Sequence, residues 1–357
     1  MYYNVVMSDN HTHASVALYR KYRPKAFKDV IGQEHIVKTL EGALKLGNVF
    51  HAYLFAGSRG TGKTTLARIV ATEIGASVND IYEIDAASNN GVDEIRLLNE
   101  AVSTLPLESR YKVYIFDEVH MFSKSAFNAL LKTLEEPPKH VVFILATTEI
   151  DKLPETIISR CQVFQLKKPS REILKQSISV VAKKEGFTLE AGATDLIALL
   201  GDGSFRDAQG ILQKILSASK DKKVTLAEVE IVTGAPRGSI VNGFIEALET
   251  KNLSAAIASL HQALALNVDT KVFLKLVLQK SRFVLLLRYA KEMEKEIVGE
   301  VSPDDFAFIK KFADKTDSAI SPALLYELLS AYDAAGRAYI PALPIELALV
   351  KLFGAAR

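Results

Sequence analysis

Short apolar runs alternate with longer amphipathic stretches along residues 1–165. The apolar runs are too short for helices and are rich in Val, Ile, Phe and Tyr, which is typical of buried strands. The predicted strands are Ala52–Ala56, Ile81–Asp85, Lys112–Phe116, Val141–Thr147 and Val163–Leu166. The helical patterns between them cover Gly62–Gly75, Val92–Ser103 and Ser125–Glu136. Strands that alternate with helices predict a five-stranded parallel sheet with flanking helices and a ligand site at the carboxyl ends of the strands.

Beyond Lys168 the hydrophobic pattern is helical, and no further strand is predicted. Three amphipathic helices are predicted at Ser170–Glu185, Leu189–Leu200 and Phe205–Ser219. A Gly-Ala-Pro sequence at 234–236 marks a linker, and long apolar stripes such as Phe273–Leu286 predict a second helical region after it. We therefore predict a flexible leader (1–16), an α/β domain (17–168), a small helical domain (169–235) and an all-helical domain (236–357).

Composition restricts the possible functions mainly by exclusion. The 44 basic and 42 acidic residues give a net charge of +2, so a nucleic-acid contact must come from a local patch or from helix ends. Cys161 is the only cysteine, which excludes a multi-cysteine zinc site and agrees with a reducing cytoplasm. No apolar run approaches the ~20 residues that span a bilayer, so no membrane contact is expected. The leader lacks a secretory signal, and His11-Thr12-His13 in it is predicted to be a flexible polar stretch rather than a weak metal site.

The residues after the first predicted strand match the phosphate-binding pattern G-x-x-x-x-G-K-[ST]. They are Gly57, Ser58, Arg59, Gly60, Thr61, Gly62, Lys63 and Thr64, and Thr65 follows them in the predicted ATP site. Glycines let backbone amides turn toward anionic oxygens, and a helix start adds favourable dipole charge. Lys63 is expected to reach the β- and γ-phosphates, and the Thr64 hydroxyl to bind Mg²⁺. The alternative is a glycine-rich turn that matches the pattern by chance. The position of the motif between a predicted strand and a predicted helix argues against this alternative.

Two acidic residues, Asp117 and Glu118, end the apolar run that begins at Val113. Adjacent carboxylates after a buried strand are costly unless they emerge near a cation. Asp117 is therefore predicted to hold Mg²⁺, and Glu118 to polarise the attacking water. A solvated acidic pair is the alternative. His120 completes a D-E-x-H pattern known from helicases, but without other helicase signatures it is interpreted as a packing or switch residue.

Further segments follow one another in a specific order. They are Tyr19-Arg20-Lys21-Tyr22-Arg23-Pro24, Ile31-Gly32-Gln33-Glu34-His35, His51-Ala52-Tyr53-Leu54-Phe55, Ile84-Asp85-Ala86-Ala87-Ser88, Asn128-Ala129-Leu130-Leu131-Lys132-Thr133-Leu134-Glu135-Glu136-Pro137-Pro138, Ala146-Thr147-Thr148, Ser159-Arg160-Cys161 and Gly203-Ser204-Phe205-Arg206-Asp207-Ala208. The series resembles the gamma/tau ATPases of the bacterial DNA polymerase III clamp loader, which are AAA+ proteins, over residues 17–235. The resemblance is weaker beyond that point, where Pro344-Ile345-Glu346 supports it.

The resemblance implies a role for each of several polar residues. Thr148 resembles the sensor that positions the attacking water, on a strand beside that of Asp117. Arg206 resembles the second sensor, which reaches from a helical lid domain to the bound nucleotide. Arg160 resembles the arginine finger, which acts in trans on a neighbouring subunit's nucleotide, so that hydrolysis requires an assembly. The structural alternatives are a threonine that ends a strand for Thr148 and a solvated charge at a helix start for Arg206.

Adenine and DNA contacts are also implied by the resemblance. Arg20, Tyr22, Val30 and Ile31 fall where the family encloses adenine and ribose, although a basic surface segment is the alternative. The DNA-contact candidates are Ser88, Asn89, Asn90 and Lys124, near helix starts that face the central channel in the family. Ordinary helix capping by Ser88 and Ser123 is the competing interpretation.

The chain departs from the family pattern at the connection Ile74–Asp80. Most gamma/tau proteins carry a four-cysteine zinc module there, and this chain runs directly into Ile81, so no zinc is expected. The resemblance is to the short gamma form, whose last helical domain forms an oligomeric collar.

The function implied is an Mg²⁺-dependent ATPase, without a polymerase active site, that opens the sliding clamp and loads it onto primer–template DNA in the bacterial cytoplasm. The partners implied are delta, delta-prime, further gamma copies, the clamp and DNA. A non-hydrolysing delta-prime-like stator and another AAA+ DNA motor, such as a Holliday-junction motor, are the alternatives. Stators tend to lose the phosphate loop, which is intact here.

Overall fold

The computed structural model describes residues 16–219, 221–301, 303–315 and 317–354. The proposed polar stretch His11-Thr12-His13 lies outside the described residues. The chain divides into two compact units, which we call unit 1 (residues up to Ser177, with Gly201–Gly210) and unit 2 (Ile178–Leu200, with the chain from Ile211 onward). The small helical domain expected at 169–235 contributes residues to both units, and the four-part division of the chain stays a prediction.

Unit 1 is built on the five-stranded parallel sheet that the apolar runs predict. Its strands are β1 (Ala52–Ala56), β2 (Ile81–Asp85), β3 (Lys112–Asp117), β4 (Val141–Thr147) and β5 (Gln162–Gln165). Their order across the sheet is β2-β3-β4-β1-β5, and every neighbouring pair is parallel. Three predicted strands are confirmed residue for residue. The third extends one residue further, to Asp117, and the fifth is displaced by one residue toward Gln162.

The helices of the described residues connect and follow these strands. They are α1 (Leu18–Lys21), α2 (Glu34–Lys45), α3 (Lys63–Glu73), α4 (Val92–Val102), α5 (Lys124–Glu135), α6 (Glu155–Ile158), α7 (Arg171–Lys184), α8 (Ala191–Leu200), α9 (Phe205–Ala218), α10 (Leu226–Thr233), α11 (Gly238–Glu249), α12 (Leu253–Ala265), α13 (Thr270–Tyr289), α14 (Glu294–Glu300), α15 (Pro303–Ala313), α16 (Pro322–Ala335) and α17 (Leu343–Phe353). Among the described residues, no helix has both the length and the apolar character needed to cross a bilayer.

The central strands of the sheet are covered by helices on both faces. Since successive side chains of a strand point to opposite sides, neighbouring residues enter different core clusters. Tyr53 and Phe55 of β1 belong to a core cluster with residues of α2 and α3. Leu54, between them, belongs to a second cluster with residues of α4 and α5. This double burial explains why β1, β3 and β4 read as continuous apolar runs rather than as alternating ones.

A buried carboxylate fixes the short connection between Ile74 and Ile81, the position at which the sequence analysis predicted no zinc module. Asp80 is fully buried, and its oxygens accept hydrogen bonds from the backbone N–H groups of Glu108 and Ser109 at 2.9 and 2.8 Å and from the Ser109 hydroxyl at 2.7 Å. Burial opposes its ionisation, but these hydrogen bonds outweigh burial and hold the pKa of Asp80 below its ordinary value. Glu108 in turn accepts from Ser77 and Asn79 at 2.7 and 2.8 Å. The short connection is therefore held by hydrogen bonds to a neighbouring loop.

Unit 2 is mostly helical but contains a short strand pair. Thr188–Leu189 and Lys223–Val224 form a parallel two-stranded sheet, which we label β6 and β7. The prediction that no strand follows Lys168 is therefore wrong. Two-residue strands are too short to produce a period, and the pairing joins positions far apart in sequence, so the hydrophobic pattern does not show it.

The charged groups of two side chains on α13 of unit 2 are satisfied by partners from neighbouring segments. Lys280 of α13 is 8% exposed, and its ammonium contacts Asp305 Oδ1 at 2.5 Å and Asn242 Oδ1 at 2.8 Å. Arg288 of the same helix donates to the backbone carbonyls of Phe312 and Ile320, both at 2.8 Å. These contacts join α13 to α11, to α15 and to the segment before α16.

Candidate active site

The carboxyl ends of three adjacent strands bring the predicted site residues together. Gly57 follows β1, Asp117 ends β3, and Thr148 follows β4, which lies between them. Gly57 N–H donates to Thr147 O at 3.1 Å and so extends the pairing of β1 and β4 by one residue. The expectation that Thr148 follows a strand beside that of Asp117 is confirmed by the pairing of β3 and β4.

The phosphate loop takes a conformation that requires glycine at two positions. Gly60 and Gly62 have φ values of 74° and 106°, in the left-handed region that side chains disfavour. A Cβ on Gly60 would lie 1.9 Å from Ser204 Oγ, and Gly60 O accepts the N–H of Phe205 at 3.0 Å. The loop is therefore packed directly against the start of α9. Of the other loop positions, Ser58 and Arg59 are exposed, Thr61 is buried and Thr65 is half-buried on α3.

Lys63 lies inside this loop, and only 5% of it is exposed. Its ammonium donates to the backbone carbonyls of Gly57 and Ser58 at 3.0 and 3.1 Å. Burial lowers the pKa of Lys63, Glu118 and Asp117 raise it in part, and Arg206 lowers it further. A buried cation bonded to neutral carbonyls is suited to binding an anionic group.

Thr64 and Asp117 meet at the end of β3. The Thr64 hydroxyl donates to Asp117 Oδ2 at 2.8 Å. A hydroxyl and a carboxylate are hard oxygen ligands, which fit Mg²⁺ when phosphate oxygens and water complete its coordination. Within the described ranges, no group of three or more His, Cys, Asp or Glu side chains is arranged to hold a metal ion. The Thr64–Asp117 pair thus supplies two oxygen ligands, and a bound Mg²⁺ would take the others from phosphate oxygens and water.

Glu118 is held in place by Thr148. Its Oε2 accepts from the Thr148 N–H at 3.2 Å and from the Thr148 hydroxyl at 3.0 Å. The backbone of Glu118 has φ 49°, a left-handed conformation that a non-glycine residue rarely adopts. His120 lies beside this pair, with Nδ1 3.0 Å from Thr147 Oγ1 and Nε2 3.4 Å from Glu149 Oε1. His120 and Glu149 therefore lie beside the site. The sequence analysis interpreted His120 as a packing or switch residue and did not mention Glu149.

A group of arginines lies near the start of the described chain. The guanidinium groups of Arg206 and Arg20 are 5.6 and 5.8 Å from the centre of the Tyr19 ring. Arg23, which the sequence did not single out, has a pKa lowered by burial and then by the charge of Arg68. Its place in the basic segment 19–24 was the available signal. Glu83, which pairs with Arg68 at 2.6 Å, offsets part of this positive charge, and the charge that remains favours an anionic ligand.

The adenine candidates Tyr22, Val30 and Ile31 are half-buried on either side of the turn Phe27–Asp29. Gln33 follows shortly after Ile31 and makes two hydrogen bonds with the backbone of Lys167. Its Nε2 donates to Lys167 O at 2.7 Å, and its Oε1 accepts from Lys167 N–H at 3.1 Å. Gln33 was missed as a functional residue because its partner lies far away in sequence. This amide fixes the segment around Ile31 against the chain that leaves β5.

Arg160 lies apart from the residues around Lys63. Its Nη2 pairs with Glu135 Oε1 at 2.5 Å, and its Nη1 donates to Thr156 O at 2.7 Å. These partners belong to α5 and α6. The side chain of Arg160 is 32% exposed.

The DNA-contact candidates lie near the starts of α4 and α5. Gly91 is the N-cap of α4, and the Ser88 hydroxyl instead faces Asp85 at 3.4 Å, so capping of α4 by Ser88 is not observed. Ser123 does cap α5, accepting from Ala126 N–H at 3.1 Å, and its own N–H donates to Asn90 O at 3.1 Å. The two helix starts are therefore adjacent, and Asn89 and Lys124 lie next to this contact, with Lys124 exposed.

Comparison with known proteins identifies the relatives of this chain. It is 42% identical to DNA polymerase III subunit tau of Bacillus subtilis over 78% of this chain and 53% of that protein. It is 40% identical to subunit tau of Escherichia coli over 72% of this chain and 43% of that protein, and 43% identical to subunit gamma of a Buchnera aphidicola strain over 57% and 60%. The chain spans about half the length of the curated relatives it matches. A family model for "DNA polymerase III, delta subunit" matches residues 75–170.

Solved structures support the same fold. The Holliday junction branch migration motor RuvB of Thermotoga maritima has a TM-score of 0.53 and 25% identity, over 72% of this chain and 91% of that chain. A variant of the same protein gives a TM-score of 0.53 at 24% identity, over 67% and 85%. The predicted AAA+ α/β fold with a mostly helical remainder is thereby confirmed.

Proposed function

We propose that this chain, which belongs to the bacterial DNA polymerase III gamma/tau family, binds and hydrolyses ATP as a motor subunit of the clamp loader. The observation that carries the proposal is the meeting of Lys63, the Thr64–Asp117 pair and the Glu118–Thr148 pair at one edge of the sheet. A phosphate-binding cation, oxygen ligands for Mg²⁺ and an oriented carboxylate are the groups that phosphoryl transfer needs.

Each residue has a distinct task in the proposed mechanism. The loop amides and Lys63 hold the β- and γ-phosphates, and Lys63 exchanges two carbonyl partners for anionic oxygens. Mg²⁺ held by Thr64 and Asp117 would neutralise charge on the phosphates. Glu118 polarises the attacking water, and Thr148 fixes the direction of its carboxylate.

Two arginines complete the proposed site. Arg206 adds positive charge near Lys63 from the start of α9. Arg160 acts in trans on the nucleotide of a neighbouring copy, since its contacts lie on α5 and α6. The adenine is enclosed by the segments around Tyr22 and Ile31.

The proposed partners are delta, delta-prime, further copies of this chain, the sliding clamp and primer–template DNA, in the bacterial cytoplasm. DNA is contacted through its phosphates by backbone amides and Lys124 at the adjacent starts of α4 and α5. The all-helical domain at 236–357 forms the collar between subunits. We propose that no zinc is bound, and metal analysis of the purified protein should find none in stoichiometric amount.

The intact phosphate loop favours a motor over a delta-prime-like stator. The delta-subunit family model matches residues 75–170, which exclude the loop at 57–64, and so does not bear on this choice. The likeness to the RuvB motor has 25% identity, against 42% to subunit tau of Bacillus subtilis, which favours a replication role over junction migration.

The central experiment is ATP turnover by the chain assembled with delta, delta-prime, clamp and primed DNA. Glu118→Gln should retain ATP binding and lose roughly 10²–10³ in turnover, because the amide cannot polarise water as the carboxylate does. Filter binding of labelled ATP and steady-state turnover separate the two effects. Turnover at the wild-type rate would exclude the proposed motor.

Arg160→Ala tests the trans role in the same assay. Turnover should fall roughly 10³-fold, as for other arginine fingers, while ATP binding by the isolated chain is unchanged. If the isolated chain hydrolyses ATP at the assembled rate, and Arg160→Ala leaves that rate intact, then the arginine does not act in trans.

A further inference from the structure

The segment Asn128–Pro138 supplies the ion-pair partner of Arg160, although it has no part in the ATP chemistry described above. Glu135, the last residue of α5, places Oε1 2.5 Å from Arg160 Nη2. On the other side, Arg160 Nη1 donates to Thr156 O at 2.7 Å. Two of the three guanidinium nitrogens are therefore bound by residues of this chain.

Buried packing fixes both partners. Leu134, next to Glu135, is 1% exposed, and Ile157, next to Thr156, is fully buried. Both belong to the core cluster on the α4–α5 face of the sheet. Because the backbone on each side is anchored in this core, the two contacts give the guanidinium a defined orientation.

The remaining donors of Arg160 stay available for a ligand. A guanidinium has five N–H donors. Thr156 and Glu135 take one on each terminal nitrogen, and a longer contact of 3.5 Å joins Nη1 to Ser159 Oγ, which leaves Nε and one N–H of Nη2. A free arginine samples many rotamers that it must give up on meeting a phosphate, whereas a held one has already lost them. Orientation before contact is what makes an electrostatic group effective in catalysis.

We propose that Glu135 is a positioning residue that orients Arg160 toward the nucleotide of a neighbouring copy. The inference rests on the proposed trans role of Arg160. Glu135 contacts no nucleotide in this arrangement and acts only through the arginine. The chain offers a matched control in Glu136, the adjacent and exposed glutamate that follows the helix.

The test is steady-state ATP turnover by the assembled complex with clamp and primed DNA. Glu135→Ala should lower kcat about tenfold to a hundredfold, as loss of an orienting partner does elsewhere. The KM for ATP should stay within about twofold, because the chain's own phosphate loop is untouched. Glu135→Gln keeps an oxygen acceptor for Nη2 and should give an intermediate kcat, and Glu136→Ala should match the wild type.

A double variant separates positioning from a general structural role. If Glu135 acts through Arg160, then Glu135→Ala should have no further effect in an Arg160→Ala chain. Thermal unfolding of the single variants should stay close to wild type, since a partly exposed ion pair stabilises little.

Three outcomes would overturn the inference: equal kcat for Glu135→Ala and Glu136→Ala, additive losses in the double variant, or a rise in kcat. A rise would mean that Glu135 restrains the arginine instead of orienting it. Failure of the trans role itself is distinguishable, because Arg160→Ala would then turn over ATP at the wild-type rate.

Discussion

Both units bury lysines, and the ammonium groups of Lys63 in unit 1 and Lys280 in unit 2 are satisfied differently. Lys63 is 5% exposed and donates to neutral carbonyls of its own loop, while Lys280 is 8% exposed and contacts the carboxylate of Asp305. Burial lowers the pKa of Lys63, which the nearby Glu118 and Asp117 offset only in part. The charge of Lys280 is neutralised within unit 2, and that of Lys63 is left for a ligand.

The difference separates a binding group from a structural one. A buried charge costs free energy unless it is paired, so a protein keeps an incompletely paired one where a function requires it. By this criterion Lys280, which is paired with a carboxylate, stabilises the helices of unit 2. Lys63 and Lys112 both donate to neutral oxygens, and Lys63 is the one that lies in the phosphate loop, so we assign binding to Lys63. The buried fraction of a lysine does not by itself tell a binding residue from a structural one.

The largest expected effect in this comparison is on nucleotide binding. Lys63→Ala should weaken ATP binding or turnover by at least about a hundredfold, because the loop loses its cation. Its stability should be unchanged or slightly higher, since burial of the ammonium is no longer required. Equilibrium ATP binding and urea unfolding measure the two effects. A large loss of stability with normal binding would reverse the roles assigned to the two lysines.

Lys280→Ala should show the opposite profile. Removal of the ammonium leaves Asp305 and Asn242 without their shared donor, at a cost of about 2–3 kcal/mol, reduced from the fully buried case because Asp305 is partly exposed. Hydrogen exchange of the α13 and α15 amides should report the loss, with ATP binding by the isolated chain at the wild-type level. Arg282→Ala, an exposed position on the same helix, is the control and should leave the exchange rates unchanged.

A smaller effect tests whether pairing, rather than the unit, decides the role of a buried charge. Asp80 lies in unit 1 but is fully hydrogen-bonded, so Asp80→Asn should cost about 1–2 kcal/mol and leave ATP turnover intact. Its pKa is lowered in the folded chain, so its stabilisation is present above the ordinary aspartate pKa and is lost as pH falls through the folded value.

The wild type should therefore lose stability between about pH 4 and lower values more steeply than Asp80→Asn does. Urea unfolding at a series of pH values measures the difference. Parallel pH curves for Asp80→Asn and the wild type would remove Asp80 from the acid response.

The sequence predicted the sheet well because the central strands are buried on both faces and their ends coincide with changes of polarity. A parallel sheet has the carboxyl ends of its strands at one edge, so the predicted strands were enough to bring Lys63, Asp117 and Thr148 together. Long-range pairing was not accessible in this way. Gln33 meets Lys167 across 134 positions, and neither residue type indicates the other.

The surroundings of the site were the least predictable part. Glu135 reads as one acid in an exposed Glu-Glu pair, and only the packing of Leu134 and Ile157 brings it to Arg160. Likewise the paired residues of β6 and β7, such as Thr188 and Lys223, lie far apart in sequence, and each strand has two residues, so no hydrophobic period can show the pairing. Periodicity records which face is buried but carries no information on which polar groups meet.

At the left-handed backbone position of Glu118, the residue that favours stability is expected to differ from the residue that favours activity. A side chain at φ 49° costs the fold about 1 kcal/mol, which glycine would not pay. A library of variants recovered only by heat resistance should therefore become enriched in glycine at position 118, and one recovered by ATP turnover should keep glutamate. A measurement of stability alone would therefore favour glycine at position 118, and a measurement of turnover is needed to show the proposed use of the glutamate.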